Sequence, residues 1–243
     1  KGNNRIISLL QKLQPSFKIN DSKYYSKLLH KQKKEIFKVI REKIQAINFN
    51  EVLLFGISAK YNQWIPAMIL AEEIKKVKPE VKIIVGGFGS KDVAQEAINT
   101  CQYFDFVNWG EGEYPLLELS LQLKSETPDF KLVPRLIYRE AQEIKQSSTN
   151  KSEYLDFEKY IYPDYDDYID NYPDSEDWDK INIPINTTRS CHWSKCKFCD
   201  FNKGYKLRIR SPECIINEIE HITNEYGLTT FSFVDSDTFG NLK

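Results

Sequence analysis

The sequence predicts an α/β fold in two parts, and three observations carry that expectation. Residues 51–87 read EVLLFGIS, then NQWIPAMILAEEIKKVKP, then VKIIVGG: two apolar, β-rich runs around an amphipathic helix ended by Pro79, the pattern of a buried parallel strand pair. The same order returns at INIPINTT, PECIINEIEHITNEYG and TTFSFVDSDTFG. Between the first two of these, three of the five cysteines crowd into CHWSKCKFC, Cys191–Cys199.

Composition bounds the possibilities. With 243 residues, 41% of them hydrophobic, the chain can bury a substantial core in one or two domains. Lys+Arg 34 against Asp+Glu 35 leave a formal net charge of -1, so no global preference for nucleic acid or a membrane surface follows. No apolar run is long enough to span a bilayer and no signal-peptide pattern opens the sequence, so a cytoplasmic location is expected. An odd number of clustered cysteines suits metal binding in a reducing compartment better than a disulfide framework. Charge is uneven along the chain: residues 1–50 hold 12 Lys/Arg against 3 Asp/Glu, and residues 153–180 hold 2 against 11. These read as the solvated faces of a helix and of a linker.

Taken in order, residues 1–48 are expected to be helical. IISLLQKL has helical apolar spacing, Pro15 interrupts, and KYYSKLLHKQKKEIFKVIREKIQAI restores a basic amphipathic pattern, with His30 solvated and an Ile/Leu face expected to pack on the neighbouring sheet. Ser58, Gly86 and Gly87 fall at the carboxyl ends of the first two strands, where ligands of parallel sheets sit and where glycine lets a bulky ligand approach the backbone. KDVAQEAINT reads as a helix, and FDFVNWGEGEYPLLELSLQL as strand, glycine-rich turn and helix. Cys101, between helix and strand, reads as a small buried apolar residue. PRLIYREAQEIKQSS is a β-hairpin. YLDFEKYIYPDYDDYIDNYPDSEDWDK reads as an extended acidic strap rather than an acid–base site. Ser211 and Pro212 start a helix with Glu213 in its first turn, and Gly227 ends it; Cys214 and His221 within it are packing or surface residues. Strand, loop, helix and strand in that order open a parallel β/α barrel, whose functional loops follow the carboxyl ends of its strands.

Thiolates are soft ligands suited to iron–sulfur clusters or zinc. Three of them leave one coordination position open, where a substrate or cofactor can join the metal. The other reading is a structural zinc site closed by His192 or Cys214, although His192 is adjacent to Cys191 and poorly placed to close a tetrahedron with it.

The order strand, Cys191-x4-Cys196-Lys197-Phe198-Cys199, helix resembles the cluster loop of the radical S-adenosylmethionine (SAM) enzymes. The commonest spacing in that family has three residues between the first two cysteines; four occur among members that carry a cobalamin-binding domain. GIS, the pair Asn62-Gln63, VGG and GEGEYPLLEL, in this order over residues 51–123, resemble the later half of such a domain, and PDYDDY resembles its connector to the barrel. Two departures stand out. The Asp-x-His-x-x-Gly motif that supplies a histidine to cobalt is absent, as in members that bind cobalamin without a protein ligand. Asp235-Ser236-Asp237 stands where the family has Gly-Gly-Glu.

The resemblance implies a Rossmann-like cobalamin-binding-type domain followed by the beginning of a radical SAM β/α (partial TIM) barrel. The expected boundaries are 1–123 for the helical segment and an incomplete cobalamin-type domain, 124–183 for the hairpin and strap, and 184–243 for the first barrel elements, so that the sequence reads as a segment of a longer enzyme. Cys191, Cys196 and Cys199 are the implied ligands of a [4Fe-4S] cluster. Phe198, Asp235, Ser236 and Asp237 are the implied SAM contacts. Ser58, Asn62, Gln63, Gly86, Gly87, Gly110, Glu111, Gly112 and Glu113 are the implied cobalamin contacts. The activity implied is reductive cleavage of SAM by the cluster, serving cobalamin-dependent C-methylation of a peptide or other natural-product substrate, as in radical SAM proteins that mature ribosomally made peptides. An electron donor such as flavodoxin or ferredoxin is the implied partner, and no nucleic acid or membrane is expected. The alternatives are a radical SAM epimerase or cross-linking enzyme with an empty cobalamin-like domain, and a non-catalytic zinc-binding module.

Overall fold

In a computed structural model of the chain, the structure describes residues 22–141, 143–148, 154–159, 161–171, 181–199 and 205–238. The helix expected over IISLLQKL and the last part of the strap, 172–180, lie outside these residues. The chain divides into two units, Lys1–Val52 with Ile65–Val81, and Leu53–Trp64 with Lys82–Lys243.

The first unit holds helix α1 (Ser22–Gln45) and helix α2 (Trp64–Val77) from Ile65 onward. Ile44 is buried on α1, whereas Ile36 and Val39 are exposed, so only part of the expected apolar stripe is covered. The carboxylate of Glu73, buried on α2, accepts from Arg41 Nε at 2.6 Å and from Lys76 Nζ at 2.8 Å. A buried carboxylate needs such partners, and the Arg41 hydrogen bond above all holds Glu73 below its ordinary pKa.

The second unit is built on a five-stranded sheet in the order β1 (Leu54–Ser58), β2 (Lys82–Phe88), β3 (Phe106–Trp109), β4 (Leu136–Glu140), β5 (Glu143–Gln146). The first three strands are parallel, which bears out a mixed α/β class with a parallel-rich, Rossmann-like sheet. The expected hairpin forms as β4–β5, but it extends the sheet, β4 running antiparallel beside β3. Packing explains why: Leu136, Ile137 and Tyr138 are all buried, so both faces of β4 are covered. Leu136 and Tyr138 share a core with Ile84, Phe106, Leu119 and Val133. Leu119 comes from helix α4 (Glu113–Lys124), and helix α3 (Lys91–Thr100) ends at Cys101, buried as expected.

The strand, loop, helix, strand order also forms. Strands β6 (Ile183–Ile185) and β9 (Phe231–Phe233) pair in parallel, with helix α6 (Pro212–Tyr226) between them in sequence. Ser211 caps α6, its side chain accepting from the Cys214 N–H, and Gly227 ends it in the left-handed region at φ 68, which a Cβ would strain. Ile183, Ile185, Ile222 and Leu228 form a second core, onto which Tyr165 and Ile169 of the strap pack, the latter from the short helix α5 (Asp166–Asp170). Strands β7 (Thr188–Arg189) and β8 (Arg208–Ile209) make a short antiparallel ribbon. No barrel closes among the described residues, and no helix among them is long and apolar enough to cross a membrane.

Candidate functional site

Residues at the carboxyl ends of both strand sets enclose one cleft of about 690 Å³. Ser58, Lys60, Gly86 and Gly87 line it from β1 and β2, and Asn108 and the turn Gly110–Glu113 from β3. Thr188, Arg189 and Ser190 line it from β7, Val234, Asp235 and Ser236 from β9, with Tyr205 also on the wall. Nine of the sequence-derived candidates thus meet at one place: Ser58, Gly86, Gly87, the four residues of the Gly110–Glu113 turn, Asp235 and Ser236. Asn62 and Gln63 do not line the cleft; they sit in a turn where Gln63 Oε1 accepts from the Lys60 N–H at 3.1 Å. Asp237 and Phe198 do not line it either, and Phe198 is 91% exposed.

The two adjacent glycines differ. A Cβ on Gly86 would meet nothing within 4 Å, so a side chain there would enter open space in the cleft. Gly87 has φ +102, and a Cβ on it would lie 3.1 Å from the Ala59 carbonyl. The backbone requires glycine at 87, while at 86 neither the backbone nor a neighbouring atom does.

The acidic residues hold the protein together as well as lining the cleft. The Glu111 side chain, 2% exposed, accepts from Arg189 Nη1 at 3.0 Å and from Arg208 Nη2. Glu113 accepts from Arg189 Nη1 at 2.5 Å. Burial pushes the Glu113 pKa up, but the charge and hydrogen bond of Arg189 outweigh it and leave the pKa below its ordinary value. Arg135 donates to the Glu111 carbonyl at 3.0 Å, and burial lowers its pKa. Burial also pushes the Tyr205 phenol up, the Glu111 charge adding to it. On the other side, Asp235 accepts from the N–H groups of Thr187 and Thr188 at 2.8 and 2.9 Å and from Thr187 Oγ1 at 2.6 Å. Asp237 accepts from the His192 N–H at 3.2 Å and meets His192 Nδ1, hydrogen bonds that hold its pKa down.

Cys191, Cys196 and Cys199 are half-buried free thiols on the loop that leaves β7, and the Cys199 N–H donates to the Cys196 carbonyl at 3.3 Å. Three unpaired thiols of one loop have the donor chemistry of an iron–sulfur site, so the residues fit that group. The cleft fits a bulky cofactor in a narrower sense, offering a Gly86 cradle that a side chain would fill. His192 is better placed than its adjacency to Cys191 predicts. One donor atom each from Cys191, His192 and Asp237 lies within 4.8 Å of the others, because the Asp237 turn folds back onto the start of the loop. The arginines at 135, 189 and 208 escaped the sequence reading. Their spacing from Glu111 carries no local signal.

No protein-family model matches the chain. Over 187 residues it is 27% identical to an anaerobic magnesium-protoporphyrin IX monomethyl ester cyclase of Cereibacter sphaeroides, covering 73% of this chain and 30% of that protein. It is 26% identical over 189 residues to an uncharacterized methyltransferase of Pyrococcus horikoshii, with 76% and 40% covered. A second such cyclase, from Rubrivivax gelatinosus, is 23% identical over 218 residues, with 82% and 35% covered. The chain therefore spans about a third of the length of the relatives it matches.

Proposed function

We propose that this chain is the cofactor-handling part of a radical SAM enzyme, with Cys191, Cys196 and Cys199 holding an iron–sulfur cluster. The observation that carries this reading is the single cleft lined jointly by the carboxyl ends of β1–β3 and by the residues leading into the cysteine loop. In such an arrangement the first sheet presents one ligand toward chemistry started at the loop. Bound there, a cluster with SAM supplies one-electron cleavage of a carbon–sulfur bond, and cobalamin supplies a transferable methyl group. The chain's own part is to ligate through three thiols and to present the Gly86 face and the Ser58 and Ser236 hydroxyls to what enters the cleft.

Methyl transfer is the leading activity, in keeping with the methyltransferase among the relatives. The two cyclases favour a second reading, ring closure on a large macrocyclic ester, and their designation as anaerobic accords with an oxygen-labile cluster. A peptide substrate rests on the family resemblance. The domain boundaries near 123 and 183, the cytoplasmic location and a small electron-transfer partner belong to the same proposal.

The test is anaerobic reconstitution of the full-length enzyme with iron and sulfide, followed by assay of bound iron, methionine and 5′-deoxyadenosine. Replacing Cys191, Cys196 or Cys199 with Ala is expected to abolish both cluster and cleavage, while Cys101→Ala and Cys214→Ala retain them. A colourless parent holding stoichiometric zinc defeats the proposal in favour of a zinc module. Reconstitution with hydroxocobalamin separates the reactions: methyl transfer requires bound cobalt in the parent. Gly86→Leu, which adds a side chain without backbone strain, then loses the cobalt and keeps the iron.

A further inference from the structure

Strands β7 and β8 pair so that Arg189 stands directly opposite Arg208. The segment between them in sequence carries Cys191, Cys196 and Cys199, so its two ends meet at that pair. Like charges directly opposite on an antiparallel ribbon repel, so this neck is unstable by itself. Glu111 removes the conflict. Its buried carboxylate reaches Arg189 at 3.0 Å and also Arg208, and the same carboxylate meets the Lys206 N–H at 3.5 Å. Both guanidinium groups lie over the Phe157 ring, at 5.2 and 5.4 Å, which orients them without neutralising them. Glu111 belongs to the turn after β3 that lines the cleft, so one carboxylate ties the first sheet to the neck of the cysteine loop.

We infer that Glu111 is a positioning residue: by bridging the two opposed arginines with one carboxylate it holds together the two ends of the cysteine-bearing segment and fixes them against the turn after β3. The neck follows from the geometry alone. Its bearing on metal binding rests on the reading of the cysteines as cluster ligands. Among the described residues the Glu113 side chain forms an ion pair with Arg189 and feels Arg208 only as a more distant charge, so the direct bridge is that of Glu111. A charge role differs from a packing role in one respect: if the carboxylate matters because two cations face each other, removing one cation relieves the need for it.

The experiment uses the full chain without metal, and reads backbone amide hydrogen exchange over residues 190–199 and 205–207. Glu111→Gln keeps the shape and loses the charge, and exchange there is expected to rise about tenfold or more, the local opening being freed from the global one. Combining Glu111→Gln with Arg208→Gln is expected to bring exchange back toward the parent. Parent-like exchange in Glu111→Gln, or a double variant that exchanges faster than Glu111→Gln, overturns the inference. Should Glu111→Gln fail to fold, Arg208→Gln alone decides: exchange within about threefold of the parent supports a charge role, and a rise of about tenfold refutes it. Iron content after reconstitution is read separately in the same variants, with a fall in Glu111→Gln and recovery in the double variant expected. If the parent takes up no cluster while the exchange pattern holds, the cluster reading fails and the positioning role of Glu111 stands.

Discussion

Two acidic turns border the cleft, Gly110–Glu113 after β3 and Asp235–Asp237 after β9, and both grip the chain just before the cysteine loop by different physics. Glu111 is buried and faces two guanidinium groups. Asp235 is half-exposed and takes its hydrogen bonds from neutral donors, two amides and two threonine hydroxyls. The first contact is a charge balance, whose loss takes the carboxylate from Arg208 and leaves Arg189 with Glu113 alone. The second is a hydrogen-bonded strand end, whose loss leaves the amides of two buried threonines without their acceptor. Acidic residues beside a ligand cleft can thus serve the protein's own geometry first, and their number is a poor measure of how many reach a ligand.

Removing each carboxylate gives the sharpest separation. Glu111→Ala leaves opposed cations in a buried site, and breaking a buried pair costs about 3–5 kcal/mol, to be measured by urea unfolding. An effect below about 1 kcal/mol, the range of exposed ion pairs, would erase the distinction between the turns. Asp235→Ala is expected to cost less, about 1–3 kcal/mol for the unsatisfied donors. The same unfolding curves read it. The smallest effect concerns pH. Glu113 has its folded pKa below the ordinary value, so its contribution is fully present above about pH 4.3 and is lost as pH falls from there through the lowered folded value. Comparing parent with Glu113→Gln between neutral pH and about pH 3, the parent should lose more stability in that acid window. Parallel curves would remove Glu113 from the charge balance.

The regular parts of the molecule were legible because their signals are local. Apolar β-rich runs fixed β1, β2 and β3, and Ser211, Pro212 and Gly227 marked both ends of α6. The convergence of Ser58, Gly86, Gly87 and the Gly110–Glu113 turn was legible too, since parallel strands put their carboxyl ends on one side. What sequence could not supply was the partner of each charge. Glu111 meets Arg189 and Arg208 across long stretches of chain, and no spacing rule links residues that far apart. Phe198 illustrates the converse: a motif assigns it a role from its place beside Cys199, whereas in the folded chain it stands in solvent.

A loop tied at its neck uncouples its length from its location. Because Arg189 and Arg208 meet at the base, residues added between them lengthen the excursion without moving its two ends, and each doubling of a flexible loop adds only about 0.6 kcal/mol of closure entropy. The four residues between Cys191 and Cys196, one more than the commonest spacing, are a change of this kind. Such a neck lets the thiol-bearing segment change in length while its two ends keep their place beside the cleft.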